Sequence, residues 1–280
     1  MNEIKETSDL YGTSYQEQQA EKYRNRENNH WKARLDIADE LYNKYVKPSF
    51  ESKSNKDVVF VDIGCSIGTF AIEFAKKGLK TYGIDFDNSA LEIARNLAKE
   101  ENVSPTFVCG DVSNWSENFP EIDIAACFDI FEHLHDDELG SFLIAIKKNL
   151  SSRGCIIFNT FPAQYDYMFF DDSLFSKFFK VFKNLKPTKF SKLVRIMQAL
   201  YDVYLLFSQG VTYQEKIKKA KHCNPTTKER LTDIFERSGY EIVFIDNSNL
   251  YNTEIEKQNI FKKQPITYRN IYGVVKPKNP

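Results

Sequence analysis

Short apolar runs alternate with helix-like segments through the middle of the chain. Runs of strand length are followed by segments of helical length that end at turn residues such as Gly78. The predicted strands are Val58–Val61, Leu79–Ile84, Thr106–Cys109, Ile122–Phe128 and Cys155–Asn159, and the predicted helices are Thr69–Lys77, Ala90–Glu100 and Glu138–Leu150. Strands that alternate with helices form right-handed βαβ units, so the pattern predicts a mostly parallel sheet.

The segments on either side of this alternation have a different character. Residues Tyr15–Lys47 are polar and helix-permissive, which predicts one or two helices before the core. Residues 163–221 are aromatic and basic, with no β-like run, and are interpreted as a helical insertion. A helix near Thr226–Ser238 and strands Tyr240–Asp246 and Thr267–Val275 follow. No crossover helix joins these last two strands, which predicts an antiparallel pair.

Composition narrows the class of protein. The 280 residues are 42% hydrophobic and 28% charged, which is typical of a globular protein, and the net charge of -1 disfavours a nucleic-acid partner. The first residues lack the apolar stretch of a signal peptide, and no run approaches a membrane span of about 20 residues. Five cysteines form no CxxC pair, so neither a zinc site nor a disulfide framework is predicted. A cytoplasmic protein without a transmembrane segment is expected.

The turn after the first predicted strand carries the first candidate chemistry. The stretch "VVFVDIGCSIGTF" contains Asp62, Gly64 and Gly68 between a strand and a helix. A dinucleotide fingerprint needs glycine at the first, third and sixth positions, but Ser66 and Thr69 occupy the third and sixth. A P-loop needs a lysine followed by serine or threonine, and none is present. The loop therefore fits neither rule.

An acid followed by Gly-x-x-x-Gly resembles the first motif of the class I S-adenosylmethionine-dependent methyltransferases, with Ser66 in place of a middle glycine. The resemblance continues where "TYGID" ends at Asp85, where "VCGDV" contains Asp111, and in "CFDIFEHLHD" and "LSSRGCIIFNTFP", which are similar to the family's fourth and fifth strand segments. It covers roughly Tyr15–Pro162 and Cys223–Lys276. It implies an α/β, Rossmann-like fold: a seven-stranded, mostly parallel sheet with an antiparallel last strand, N-terminal helices and a helical lid insertion.

On this interpretation the chain has four parts. These are an N-terminal helical cap (1–56), an S-adenosylmethionine-binding core (57–162), a helical lid or acceptor-binding insertion (163–222), and a C-terminal helix with antiparallel strands that complete the core (223–280).

The resemblance implies S-adenosyl-L-methionine as the cofactor and S-adenosyl-L-homocysteine as its product. The turn after Asp62 is expected to accommodate the methionine part, with Asp62 supplying negative charge near the cationic sulfonium. Asp85 is expected to accept from the ribose hydroxyls, and Asp111 from the adenine amine. Each aspartate has an alternative role as a turn former or helix cap. The predicted cofactor-binding residues are Arg34, Asp62, Gly64, Ser66, Gly68, Asp85, Phe86, Asp111, Val112 and Phe128.

Arg34 enters this set through "HWKARLDI", which resembles the Arg-Leu-x-Tyr-Ile stretch of the ubiquinone-pathway O-methyltransferases. Their arginine meets the cofactor carboxylate. The alternative for Arg34 is an exposed arginine on a helix.

The candidate catalytic residues are histidines. A hydroxyl acceptor must lose a proton, and imidazole titrates near neutral pH. His133 directly follows the fourth strand, and His222 lies in "KHCNPTTKERL", which resembles a family segment that borders the acceptor pocket. The alternative for both is a hydrogen-bonded histidine that fixes a loop, and this structural role is favoured for His135.

The residues after the fourth strand raise the alternative of a divalent-metal site. Asp129, Glu132 and His133 match the spacing of an acid-x-x-Glu-His metal cluster in the ubiquinone-pathway enzymes, although aspartate stands first here. Carboxylate oxygens and one imidazole suit Mg²⁺ or Mn²⁺. Related enzymes carry the glutamate without a metal, so the prediction is an enzyme that needs none.

The insertion combines positive charge with aromatic residues. Its basic residues recur at every third position, namely Lys177, Lys180, Lys183, Lys186, Lys189, Lys192 and Arg195. They are interpreted as solvated lysines over an apolar underside or, alternatively, as a lid whose charge favours an anionic acceptor. Basic amphipathic helices also rest on anionic membranes, so a peripheral membrane contact is a third possibility.

The sequence thus predicts methyl transfer to a hydroxyl of a small molecule or sugar. If the lid hypothesis holds, this acceptor is anionic or is linked to a nucleotide or lipid. The alternatives are an N-methyltransferase for a small amine or amino sugar, a nicotinamide oxidoreductase, and a non-catalytic partner subunit that keeps the cofactor fold. Strand four lacks the Asn/Asp-Pro-Pro-Tyr signature of amino-methylating nucleic-acid enzymes. The oligomeric state is left open.

Overall fold

A sheet of seven strands forms the centre of the computed structural model, which describes residues 13–25, 29–110, 112, 119–161, 187–212, 215, 224, 226–248 and 270–278. In these residues the strands are β1 (Val59–Ile63), β2 (Lys80–Asp85), β3 (Thr106–Cys109), β4 (Ile122–Phe128), β5 (Leu150–Thr160), β6 (Tyr240–Ser248) and β7 (Asn270–Pro277). The strand order is β3-β2-β1-β4-β5-β7-β6. Every junction among the first five strands is parallel, whereas β7 runs antiparallel to both β5 and β6. The predicted mostly parallel sheet with an antiparallel last strand is confirmed.

Helices cover both faces of this sheet. The described α-helices are α1 (Thr13–Arg24), α2 (Asn29–Leu41), α3 (Thr69–Lys76), α4 (Asn88–Glu100), α5 (Asp136–Asn149), α6 (Pro187–Gln209) and α7 (Lys228–Arg237). A π-turn (Tyr42–Val46) and a 3-10 turn (Lys47–Phe50) continue α2 towards β1. In the part of the chain that the structure describes, no helix combines the length and apolar composition needed to cross a membrane.

The packing of the core explains why the sequences of the central strands are continuous apolar runs. Alternate residues of β1 point to opposite faces. Val61 belongs to a cluster with residues of α5 and α7, and Phe60 belongs to another with residues of α2 and α3. All of β1 is therefore buried, as expected for a parallel strand covered on both sides.

Several boundaries differ from the prediction by a few residues, and two of these differences have a visible cause. Helix α4 begins at Asn88, and its N-cap is Asp87, whose side chain accepts hydrogen bonds from the Ser89 and Ala90 N–H groups. The Ser89 hydroxyl itself donates to Asp87 Oδ1 at 2.6 Å. Strand β5 begins at Leu150 rather than Cys155, because Leu150 already pairs with Ile122 across a register shift.

The insertion is described only in part. Helix α6 begins at Pro187, the position where a helix tolerates proline because the first N–H has no partner within the helix. Residues 162–186 lie outside the described residues, so the predicted course of that segment stays a prediction, as does the division of the chain into four parts.

Candidate functional site

Three acidic residues lie at the carboxyl edge of the sheet. Ile63 of β1 pairs with Ile84 of β2, and Asp62 pairs with Ala126 of β4, so these three strands end at the same level. Asp62 and Asp85 lie within the last residues of β1 and β2, and Asp129 follows β4 directly. In a doubly wound sheet this edge, where neighbouring crossovers turn to opposite faces, is the usual ligand position.

The glycine loop crosses this edge between β1 and α3. Gly64, Ser66 and Gly68 all have left-handed backbone, with φ values of 65°, 48° and 75°. The N–H groups of Gly64 and Cys65 both donate to the Ile84 carbonyl, at 2.8 and 3.0 Å, which fixes the loop on β2. Ser66 is the unusual member, since a side chain disfavours this conformation.

Two hydrogen bonds hold Ser66 in that conformation. Its N–H donates to Asp85 Oδ2 at 2.7 Å, and its hydroxyl donates to Gln16 Oε1 of α1 at 2.7 Å. The substitution of serine for a middle glycine is thus compensated by partners from β2 and from the N-terminal helix.

Gly64 and Gly68 lie where a side chain would not fit. A Cβ on Gly64 would lie 2.9 Å from Ile130 Cδ1, and one on Gly68 would lie 2.6 Å from Phe107 Cε1. The loop therefore forms a narrow backbone cradle, against which Phe107 of β3 and Ile130, two residues after β4, pack closely.

Asp62 has a different environment from the one predicted. It is 1% exposed, and its carboxyl group accepts from the N–H groups of Phe70 and Ala71 in the first turn of α3. Burial, together with the charge of Asp85, raises its pKa to about 8. Asp62 therefore caps the start of α3, which is the role given above as its alternative.

Asp85 connects β2 to both neighbouring turns. Besides Ser66, it accepts from the Asp87 N–H at 2.9 Å, and it is 8% exposed. Burial raises its pKa above the usual range, and the two N–H donors oppose that rise. The next residue, Phe86, is 46% exposed and presents an aromatic side chain at the same edge.

The remaining predicted cofactor residues fall into three groups. Val112 is buried, and Phe128 packs in the core with its ring stacked on Phe70 at 4.1 Å between centroids. Arg34 is 7% exposed, which overturns the alternative of an exposed helix arginine. Asp111 lies outside the described residues.

Arg34 belongs to a polar network around Asp129. Arg34 Nε donates to Asp129 Oδ2 at 2.5 Å, and Asn159 Nδ2 donates to Asp129 Oδ1 at 2.7 Å. Asp129 has left-handed backbone (φ 55°), and its N–H donates to the Asn159 carbonyl at 2.8 Å. The Asn270 amide donates in turn to Asn159 Oδ1. The network joins α2 to the ends of β4 and β5 and to the start of β7.

Glu132 is turned into the protein. It is 1% exposed and accepts from Thr160 Oγ1 at 2.8 Å. Burial, with the charge of Asp129, raises its pKa well above the usual range. Among the described residues, which include Asp129, Glu132 and His133, no group of three His, Cys, Asp or Glu side chains is arranged to hold a metal ion.

The histidines differ in position. His133 is half-buried in a 3-10 turn (Phe131–His133) that follows Asp129 at the carboxyl edge. His135 is the N-cap residue of α5, and its backbone N–H donates to Glu138 Oε2 at 2.8 Å. This position agrees with the structural role favoured for His135. His222 lies outside the described residues.

Helix α1 contributes side chains that no sequence motif indicated. Gln16 is 5% exposed and contacts Ser66 as described, while Tyr15 is electrostatically coupled to Arg34 and Asp129. Burial raises the pKa of Tyr15, and Arg34 opposes this rise. A polar helix of ordinary composition gives no signal of such contacts, because they depend on where the helix docks.

Comparisons with known proteins agree with this geometry. Residues 60–154 match a family model described as a methyltransferase domain. The chain is 27% identical over 78 residues to a ubiquinone biosynthesis O-methyltransferase of Coxiella burnetii, covering 28% of this chain and 33% of the relative. It is 29% identical over 101 residues to the protein of the same name from Photorhabdus laumondii, covering 36% of this chain and 41% of the relative. The chain thus matches less than half the length of each relative.

Two solved structures share the fold. A Pyrococcus horikoshii protein superposes with a TM-score of 0.54 at 15% identity, covering 89% of this chain and 91% of that protein. Magnesium protoporphyrin IX methyltransferase from Synechocystis, crystallised with bound SAH, superposes with a TM-score of 0.51 at 14% identity, covering 90% of this chain and 84% of that enzyme.

Proposed function

We propose that this chain, a class I S-adenosylmethionine-dependent methyltransferase, transfers the methyl group of S-adenosylmethionine to a hydroxyl of a small molecule or sugar and releases S-adenosylhomocysteine. The observation that carries the proposal is the glycine cradle, which is joined to Asp85 through the Ser66 N–H and lies beside exposed Phe86 at the carboxyl edge of the sheet. It coincides with the segment that matches the methyltransferase domain.

The residues at this edge fit the parts of the cofactor. We assign the cradle from Gly64 to Gly68 to the methionine part, Asp85 to the ribose hydroxyls, and Phe86 to one face of the adenine. Asp85 is suited to this role because its carboxyl oxygens already accept from two N–H groups at the mouth of the loop. Asp129 holds Arg34 at the same edge, where a guanidinium favours the cofactor carboxylate.

The sulfonium supplies an already activated methyl group, so the protein has to align the acceptor and exclude water. With the cofactor bound, the acceptor oxygen would form a bond to the methyl carbon, and the electron pair of the broken carbon–sulfur bond would go to sulfur. We assign His133 to accept the hydroxyl proton, because its half-exposed position follows β4 next to Asp129. Asp62 acts indirectly: it anchors the start of α3 and so holds the glycine loop in shape.

The choice of oxygen over nitrogen rests on the two O-methyltransferase relatives and on His133. An amine acceptor that binds neutral needs less help from a base, so a base at this position favours the hydroxyl. The class of acceptor beyond its hydroxyl group, whether sugar or other small molecule, belongs to the proposal.

Calorimetric titration with S-adenosylhomocysteine tests the cofactor site. We expect binding, and we expect Asp85→Ala to raise Kd at least tenfold, since charge-assisted hydrogen bonds contribute roughly 1.5–3 kcal/mol and 1.4 kcal/mol corresponds to tenfold. Asp36→Asn is the matched control, because Asp36 is an exposed carboxylate on α2. No binding by the unaltered protein, binding of NAD instead, or equal Kd values for the two variants would contradict the site.

Turnover against a panel of hydroxyl and amine acceptors tests the catalytic assignment. His133→Ala is expected to lower kcat by about 10²–10⁴, the usual contribution of a general base, without changing the Kd for S-adenosylhomocysteine. His135→Ala is the control, since His135 starts α5. Methylation of amines alone would overturn the acceptor, and cofactor binding without turnover on any acceptor would favour the non-catalytic partner.

A further inference from the structure

Helix α6 has one buried face and one exposed apolar face. Tyr201 and Leu205 are 2% and 0% exposed, so this side packs against the protein. The exposed residues Ile196, Leu200, Val203 and Phe207 are 56%, 50%, 48% and 89% exposed. We refer to these four as the α6 stripe. Their spacing of four, three and four residues places them along one face of the helix.

The α6 stripe is more than scattered surface exposure. Single exposed apolar residues are normal, whereas a contiguous apolar line on a helix marks an interaction site. Leu206 adds a further side chain that is 49% exposed beside Phe207. The stripe runs about 11 residues along the helix, or roughly 16 Å at 1.5 Å per residue.

Positive charge adjoins the stripe in the sequence. From Lys177 to Tyr201 the chain has seven basic residues and no acidic one, although its net charge is -1. Lys189, Lys192 and Arg195 belong to α6 itself and immediately precede the stripe. The basic character is therefore a property of this segment and not of the whole protein.

We propose that α6 docks the protein on an anionic lipid surface. In this arrangement the α6 stripe enters the boundary between headgroups and acyl chains, and the basic end of α6, at Lys189, Lys192 and Arg195, lies at the level of the lipid phosphates. A helix that combines an apolar line with lysine and arginine has the character of an interfacial helix. The side that carries Tyr201 and Leu205 remains attached to the protein.

Charge favours lipid over a second copy of this chain. The only acidic residue of α6 is Asp202, so two α6 helices packed along their stripes would offer little negative charge to their basic ends. An anionic membrane supplies both an apolar layer and a dense array of phosphates. This inference is independent of the methyl-transfer proposal and goes beyond it.

Cosedimentation of the full chain with vesicles tests the inference. We expect the protein to bind phosphatidylcholine vesicles that contain phosphatidylglycerol. This binding should weaken as salt is added, and it should be much weaker with vesicles of phosphatidylcholine alone. The double variant Leu200→Ser/Phe207→Ser should lower partitioning at least tenfold. The control is Ile144→Ser/Val243→Ser, which removes two exposed apolar residues from α5 and β6, away from the α6 stripe.

Three outcomes would overturn the inference: no binding to the anionic vesicles, equal binding by the stripe and control variants, or self-association in sedimentation velocity that the stripe variant abolishes while vesicles capture nothing. Thermal unfolding followed by circular dichroism reports whether each variant is folded. A stripe variant that unfolds like the unaltered protein but fails to bind vesicles supports lipid docking whether or not the methyl-transfer proposal holds.

Discussion

Gly68 and Ser66 have similar left-handed backbone, yet their requirements differ. Ser66 keeps its side chain because Gln16 and Asp85 supply partners for its hydroxyl and its N–H. Gly68 has no such freedom, since the ring of Phe107 occupies the place of its Cβ. The steric surroundings, and not φ alone, therefore decide which loop positions must be glycine.

Gly68→Ala is accordingly expected to destabilise the protein more than Gly210→Ala. Both glycines have positive φ (75° and 68°), so both variants carry a left-handed penalty of roughly 1–2 kcal/mol. A Cβ at Gly210 has no neighbour within 4 Å, whereas one at Gly68 lies 2.6 Å from Phe107 Cε1 and adds an overpacking cost of roughly 1–3 kcal/mol. The free energy of unfolding in urea measures both, and equal losses would show that Phe107 moves aside freely.

Individual site residues were predictable to the extent that local pattern defines them. An acid and glycines between a strand and a helix indicate the loop, and Asp85 follows from the end of the next strand. The pattern does not say which N–H groups each carboxylate will meet. For Asp62, the capping of α3 depends on where its carboxyl group lies beside the helix start, and its raised pKa depends on burial. Neither can be predicted from the local pattern.

At the scale of elements, α1 acts as a cover on the glycine loop. Its Gln16 reaches Ser66 across 50 positions of sequence, and at its other end Arg24 forms a bidentate pair with Glu100 of α4. The exposed Arg24 pair contributes little to stability. The part of α1 that matters for the site is therefore the turn around Gln16.

Gln16→Ala is expected to weaken S-adenosylhomocysteine binding about fivefold. Without Gln16, Ser66 no longer has a side-chain partner in its left-handed conformation. The loss of one hydrogen bond weakens the free energy of binding by about 1 kcal/mol. Gln18→Ala is the matched control, because Gln18 is exposed on the same helix. Calorimetric titration measures both Kd values. If the two variants bind alike, the α1 contact does not stabilise the loop that receives the cofactor.

The strands and helices could be predicted from the sequence, because a parallel strand that is buried on both faces has a continuous apolar sequence bounded by turn residues. The predicted spans of β3 and β4 agree with the structure residue for residue. Helix docking was not predictable in the same way. The contact between α1 and the loop, and the network from Arg34 to Asn159, join distant parts of the chain and leave no local periodicity.

At the scale of the whole molecule, the fold concentrates buried acids at one edge. Asp62, Asp85 and Glu132 all have raised pKa values, in each case chiefly through burial. Such acids bind protons more tightly in the folded state than in the unfolded chain. They therefore make stability fall as pH rises from the unfolded pKa values towards the folded ones. The buried acids at this edge thus lower the stability of the fold at neutral pH.

The contribution of Asp62 to this fall can be isolated with Asp62→Asn. An asparagine oxygen can still accept from the Ala71 N–H, but it does not titrate. Because the pKa of Asp62 rises from 3.8 to about 8, the unaltered protein should lose stability relative to the variant between about pH 4 and pH 8. The loss of stability should be at most about 1.4 kcal/mol per pH unit, the value for one proton.

Free energies of unfolding in urea at several pH values measure the difference between the two proteins. The contributions of Asp85 and Glu132 to the pH dependence cancel in this difference because both proteins contain them. Asp36→Asn, which alters an exposed carboxylate, should give a pH profile of stability nearly parallel to that of the unaltered protein. Parallel profiles for Asp62→Asn would mean that this carboxyl group is ionised when folded, which would restore it as a negative charge beneath the cofactor loop.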